Sequence, residues 1–264
     1  MATMVQYWNT ELRIFEFPNV DVAPTIEVPI PDRLRVYMFT KPVEVNEDTI
    51  EKIIKVRPEP SSIIKQARTI GLKWVFLKKH IAKMEEQQNW EMFKPTFALA
   101  IYGMVLFPFL NNMIDHSSFD VFYKFIRFGV NPTPVILVES FLSFQKCHLR
   151  GGNKIRCCVQ LLYIWMMTRF KHHYYSLGSR YPLKRYRNVS TKEIQLSEWA
   201  KLFKEVTPRN FGTKCCLYDR HDKIMYSCGD RPNMILMGPR GCIAFTPTLV
   251  LGQLKWGMNQ IKDE

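Results

Sequence analysis

The feature that most narrows what this chain can fold into is an uncharged run from Pro95 to Ile114, almost continuously apolar between Thr96 and Leu110. A bilayer-spanning helix needs about 20 apolar residues. Pro108 interrupts the run, since a proline inside a helix removes a hydrogen bond and clashes with the preceding turn, and Asn111-Asn112 follow it. What remains supports a helix of about 12 to 14 residues, the length of a core helix. The run therefore predicts a buried helix in a soluble protein that crosses no membrane, and it requires other apolar faces to cover it.

Those faces are present. Apolar residues make up 47% of the 264 positions, with 18 Phe, 11 Tyr and 6 Trp, which excludes a wholly disordered chain. After Pro60, with Ser61 or Ser62 as cap, Ile63, Ala67, Ile70, Trp74, Leu77, Ile81 and Met84 draw one helical stripe. Ile64, Leu72, Val75 and Phe76 widen it beyond a coiled-coil seam, so a single core helix from Ile63 to Met84 is predicted. Ser117, with Asp120 three residues on, predicts a capped helix that buries Phe119, Phe122, Phe125 and Ile126 and ends at Gly129. Thr133 as cap and Pro134 in the first position open a helix that runs to about Leu149, where Gly151-Gly152 stop it. Further helices are expected near Ile155 to Phe170 and from Ser197 to Val206. Lys214 to Tyr218 and Lys223 to Cys228 predict a hairpin, Gly238-Pro239-Arg240-Gly241 a turn, and Thr246-Pro247 a last short helix.

Residues 1–60 hold seven prolines and seven basic against ten acidic residues. Proline at this density interrupts helices and central strands alike, leaving an irregular arm with one short helix near Asn46 to Lys55. The predicted fold is a mainly α, multi-helix globular domain over residues 61–264, with a small β-hairpin element near its C-terminus, behind an irregular Pro-rich acidic arm over 1–60.

The seven cysteines are odd in number and include the neighbours Cys157-Cys158 and Cys215-Cys216, unlike a small secreted disulfide framework. Met1 to Arg13 lacks a basic start followed by an apolar stretch, so no signal peptide is expected and the compartment is a reducing one, cytoplasm or nucleus.

Motifs for chemistry are sparse. Asp115-His116-Ser117 has the residue types of a catalytic triad, but contiguous side chains cannot form its relay, and a capping turn is the better reading. Cys147, His148, Cys157, Cys158, His172 and His173 lack the paired spacing of zinc ligands, which favours buried thiols. Phosphate-loop and dinucleotide glycine patterns are absent. No catalytic, cofactor or metal residue is assigned.

Charge location says more than charge total. Residues 146–192 hold eleven basic residues and no acidic one, so +11 of the net +13 sits there. Lys171, Arg180, Lys184, Arg185, Arg187 and Lys192 are interleaved with Tyr174, Tyr175, Tyr181 and Tyr186. Cations attract phosphates and release counterions, and aromatic faces stack on exposed bases. These six cations are the candidate nucleic-acid contacts, and Lys184-Arg185-Tyr186-Arg187 doubles as a short nuclear import signal. The plainer alternative is a solubilising surface that offsets the acidic arm.

The helical centre also carries a family resemblance. Ala98-Leu99-Ala100-Ile101-Tyr102-Gly103-Met104-Val105-Leu106-Phe107-Pro108 resembles the opening signature of a plant-specific family of unknown function, abundant in legumes and related to the aminotransferase-like plant mobile domain. Asn131-Pro132-Thr133-Pro134, Gly151-Gly152, Cys157-Cys158 and Leu161-Leu162-Tyr163 follow in order, and Gly238-Pro239-Arg240-Gly241-Cys242-Ile243 resembles its closing signature. The family commonly has Arg where Gly252 stands, and relatives often continue into a charged tail where this chain stops at Glu264. No catalytic residue comes with the family, and a pyridoxal-phosphate enzyme's phosphate cup is missing. The resemblance implies a nuclear, transposon-associated plant protein, and the basic segment adds the expectation that it acts by binding nucleic acid or chromatin. The alternatives are a protein–protein scaffold using the Ile63 to Met84 stripe and a diverged copy without function.

Overall fold

Three strands open the chain where the prolines predict irregularity. In the computed structural model, which describes residues 2–23, 37, 42–66, 69–151, 155–163, 195–207 and 234–245, a short helix α1 (Ala2–Val5) leads into β1 (Trp8–Asn9), β2 (Ile14–Phe17) and β3 (Val20–Val22). They form an antiparallel meander in the order β1-β2-β3. The arm is more regular than its proline count because, of those seven, only Pro18 lies before residue 24, and it falls in the turn between β2 and β3. Asn9 shapes the first turn, its Oδ1 accepting from the backbone N–H of Glu11 at 2.9 Å and of Leu12 at 2.8 Å.

The short helix expected near Asn46 is α2 (Glu47–Ile54). Asn46 caps it by accepting from Thr49 N at 2.8 Å, and Lys55 closes it in a left-handed conformation.

The single helix expected from Ile63 to Met84 is corrected. A 3-10 turn (Pro60–Ser62) is followed by β4 (Ile63–Gln66) and β5 (Thr69–Lys73), and only then by α3 (Trp74–Glu86). Ile63, Ile64, Thr69 and Ile70 are β-branched and stiff in a helix, and Gly71 is needed where β5 meets β6 (Met113–Asp115). A Cβ on Gly71 would run into the Met113 side chain and the Ile114 carbonyl. The second half of the stripe does face the core: Leu77 and Met84 are buried.

The apolar run is also divided. α4 (Trp90–Ile101) begins before it, with Asn89 capping and Pro95 inside, and passes into one π-helical turn (Tyr102–Leu106) that ends before Pro108. Thr96, Leu99 and Ala100 are buried, whereas Phe97 and Ile101 are exposed, so the run is not covered all round as expected. Among the described residues, no helix is long and apolar enough to cross a membrane.

α5 (His116–Phe128) takes Asp115, not Ser117, as its cap, and ends at Gly129 in the left-handed region. Phe119 and Phe122 are buried as expected, but Phe125 and Ile126 are exposed. α6 (Thr133–Leu149) stops before Gly151, as the sequence predicts, but Thr133 is its first helical residue rather than its cap; Pro132 holds the cap position and Pro134 lies in the first turn. Residues 159–163 are helical, and α7 (Leu196–Glu205) buries Trp199 and Phe203. The predicted 238–241 turn joins β7 (Met234–Gly238) to β8 (Gly241–Phe245), a two-stranded hairpin near the C-terminus. The hairpin expected over 214–228, the helix after Thr246, and most of that over 155–170 lie outside the described residues.

The protein is mainly α with small antiparallel sheets. Among the described residues, the buried apolar side chains form two clusters that meet at α6. One joins the N-terminal meander, α7 and the β7–β8 hairpin to Leu137, Val138, Phe141 and Phe144 of α6. The other joins α2, α3, α4 and α5 to Val135. Each fully buried Phe, such as Phe15, Phe119 or Phe144, contributes about 1.5–3 kcal/mol from burial.

Candidate functional site

α6 is apolar through Val135, Ile136, Leu137 and Val138, then presents Glu139, whose side chain is only 1% exposed. A buried carboxylate needs a partner, since an ionised group without one costs far more than its neighbours return. The partner comes from the β7–β8 turn. Arg240 Nε donates to Glu139 Oε2 at 2.6 Å, its backbone N–H reaches Oε1 at 3.3 Å, and Nη2 also contacts Oε2. The hairpin can come this close because Gly238 has no side chain: a Cβ there would stand 3.0 Å from Glu139 Oε1.

The Arg240 guanidinium lies 3.6 Å from the centre of the Phe109 ring. Stacking of this kind stabilises a partly buried cation by roughly 0.5–2 kcal/mol. The Phe109 carbonyl in turn accepts from Arg156 Nη1 at 3.1 Å, and the Arg156 backbone N–H donates to Ser143 Oγ at 2.6 Å. Three segments distant in sequence thus converge on one place, at Phe109, Arg156 and Arg240.

The electrostatics are those of a lock. Burial pushes the Glu139 carboxyl above its ordinary range, while Arg240 and, more weakly, Lys146 pull it down. Lys146, exposed at the helix end but partly desolvated, is itself lowered by that desolvation and then by the charge of Arg240. The Cys157 thiol is pushed up to about 12, chiefly by burial, so little of it is the reactive thiolate at neutral pH.

A second buried set ties the arm to α5. Asp120 accepts from Tyr37 Oη at 2.6 Å, Lys124 Nζ at 2.7 Å and the Val43 backbone N–H at 3.0 Å. Lys124 also sits 4.6 Å from the centre of the Tyr37 ring. Burial, followed by the Asp120 hydrogen bond, raises the Tyr37 hydroxyl well above the ordinary tyrosine value.

Of the sequence candidates, Lys171, Arg180, Lys184, Arg185, Arg187 and Lys192 lie outside the described residues. At the start of that basic segment, Lys146 and Arg150 are exposed on the last turn and cap of α6. Asp115-His116-Ser117 is a cap: Asp115 Oδ1 accepts from Ser118 N at 2.9 Å and Ser118 Oγ at 2.6 Å. Cys147, Cys157 and Cys158 are buried and outside any disulfide, and among the described residues no three His, Cys, Asp or Glu side chains are grouped to hold a metal. A cavity of about 380 Å³ beside the meander is lined by Trp8, Glu11, Glu16 and His148 among others. Glu16 accepts from Asn9 Nδ2 at 2.9 Å, and His148 Nδ1 lies 3.3 Å from the Val5 carbonyl oxygen, so these polar groups already have partners.

The buried pair was not found from sequence, although a signal was there. Glu139 is the one acidic residue between Asp120 and Glu193, and it stands in a helix that is otherwise almost wholly apolar at its start.

The whole chain, residues 1–264, matches a sequence family described as a domain of unknown function, DUF7745. The chain belongs to the DUF7745 family. No curated protein and no solved structure matches it. The DUF7745 match takes in the N-terminal meander together with α6 and the closing hairpin, the elements that the first apolar cluster joins.

Proposed function

We propose that this DUF7745 protein is a non-enzymatic nucleic-acid-binding protein that contacts the phosphate backbone through residues 146–192. The observation that carries the reading is the run of eleven basic residues without an acidic one, interleaved with tyrosines. The nearest acidic residue before the run, Glu139, is buried and paired with Arg240. Lys146 and Arg150 begin the run at an exposed helix end. Plant origin, a transposon association, kinship with the aminotransferase-like plant mobile domain and a nuclear site of action rest on the resemblance, with Lys184-Arg185-Tyr186-Arg187 as the import signal.

Equilibrium binding of fluorescent single-stranded oligonucleotides of unrelated sequence tests this reading. The expected result is comparable affinity for each sequence, falling steeply as salt rises. Absence of binding at low salt assigns the segment to solubility alone.

A further inference from the structure

We propose that the outer face of the α3–α4 hairpin is a self-association surface that takes a second copy of this chain. Only Gln87, Gln88 and Asn89 join the two helices, which pack along each other and therefore run antiparallel. Their inner sides supply Leu77, Met84, Leu99 and Ala100 to the core. The outer sides are not polar in the same measure. Trp90 is 50% exposed, Phe97 45% and Val75 58%, and Ile101 is exposed as well. At about 100° per residue, Trp90, Lys94, Phe97 and Ile101 share one line along α4. Phe93 flanks that line, its ring 5.3 Å from Trp90 and stacked on Phe97 at 5.4 Å. A contiguous exposed apolar patch marks an interaction site, and aromatic residues are what interface centres are enriched in.

The charge pattern selects the occupant. The tip of the hairpin carries Glu85, Glu86 and Glu91, with Lys83 as its near cation, and the shank carries Lys78, Lys79 and Lys94, all exposed. On α3, Val75, Lys79, Ala82 and Glu86 follow one stripe, apolar and basic at one end and acidic at the other. A partner of one sign, such as a nucleic acid, would be attracted to the shank and repelled at the tip. A second copy related by a two-fold axis, its hairpin antiparallel to the first, sets each acidic tip on the other's basic shank. The ring ladders then meet between the two charged ends. This is the self-complementary pattern that a two-fold contact requires.

Sedimentation velocity of the full chain over a range of concentrations tests the proposal. The expected result is a reversible monomer–dimer equilibrium, weakened about tenfold or more by Phe97→Asp with the far-UV circular dichroism unchanged. Lys79→Glu and Glu86→Lys should each weaken the dimer. Mixing those two variants should restore it as a heterodimer, because every charge then faces its opposite, an outcome that a folding defect cannot produce. A wild-type chain that stays monomeric throughout, or a Phe97→Asp chain that dimerises normally, overturns the proposal. So does a Phe97→Asp chain that keeps self-association and loses oligonucleotide binding, which would assign the face to nucleic acid.

Discussion

Glu139 and Arg240 are 101 residues apart in sequence, yet carboxylate and guanidinium meet at 2.6 Å inside the protein. Their pairing fixes the β7–β8 hairpin on α6, the helix at which both apolar clusters meet, and it draws Phe109 and Arg156 into the same contact.

Removing one partner should therefore cost more than the pair itself contributes. Arg240→Met leaves a carboxylate buried without its cation, and the expected loss is about 3–5 kcal/mol in urea unfolding. Adding Glu139→Gln to that variant should recover a substantial part of the loss, because a neutral amide tolerates the site better.

The pH dependence has a definite sign. Glu139 is held above its ordinary range by burial, against the opposing pull of Arg240 and Lys146. A carboxyl raised in the folded state binds its proton more tightly folded than unfolded. Its contribution to stability is full below the unfolded value and is lost as pH rises through the folded one. In Arg240→Met the downward pull of the guanidinium is gone, so the decline should extend to higher pH than in the wild type. In Glu139→Gln the decline attributable to this group should vanish. Urea midpoints measured across the acidic and neutral range check both.

Gly71→Ala should destabilise the protein more than Gly103→Ala. A Cβ at Gly71 meets the Ile114 carbonyl, a backbone atom fixed in the β5–β6 pairing, whereas at Gly103 it meets only the Ile114 side chain. Overpacking costs about 1–3 kcal/mol where neighbours cannot shift, and thermal unfolding of the two variants should show that order.

Tyr37→Phe tests the tether between the arm and α5. The hydroxyl donates to the buried Asp120, and hydrogen bonds to charged groups contribute about 1.5–3 kcal/mol. The variant should lose stability in that range, which urea unfolding measures.

Elements whose signals are local were legible in the sequence. Asn46 caps α2, Pro134 and Gly151 bracket α6, and the Gly238-Pro239-Arg240-Gly241 turn joins a hairpin, because each depends on neighbouring residues alone. The stripe from Ile63 to Met84 misled because apolar spacing carries no record of where a strand partner lies. Leu72 pairs with Ile63 on one side and Ile114 on the other, and that second partner settles the conformation. The cap of α5 was placed two residues late because Asp115 and Ser117 are equally good cap residues in isolation. Glu139 and Arg240 were missed as a pair for the same reason as the strands: only the folded chain brings them together.

The central functional claim is that the basic segment binds phosphates, and the salt dependence of oligonucleotide affinity tests it most directly. Each phosphate contact contributes about 0.7 to 0.9 to the slope of log affinity against log salt. Replacing Lys184, Arg185 and Arg187 together by glutamine should flatten that slope by about two to three units while leaving the fold intact. A slope unchanged in the triple variant would contradict the account and leave residues 146–192 as a solvated surface.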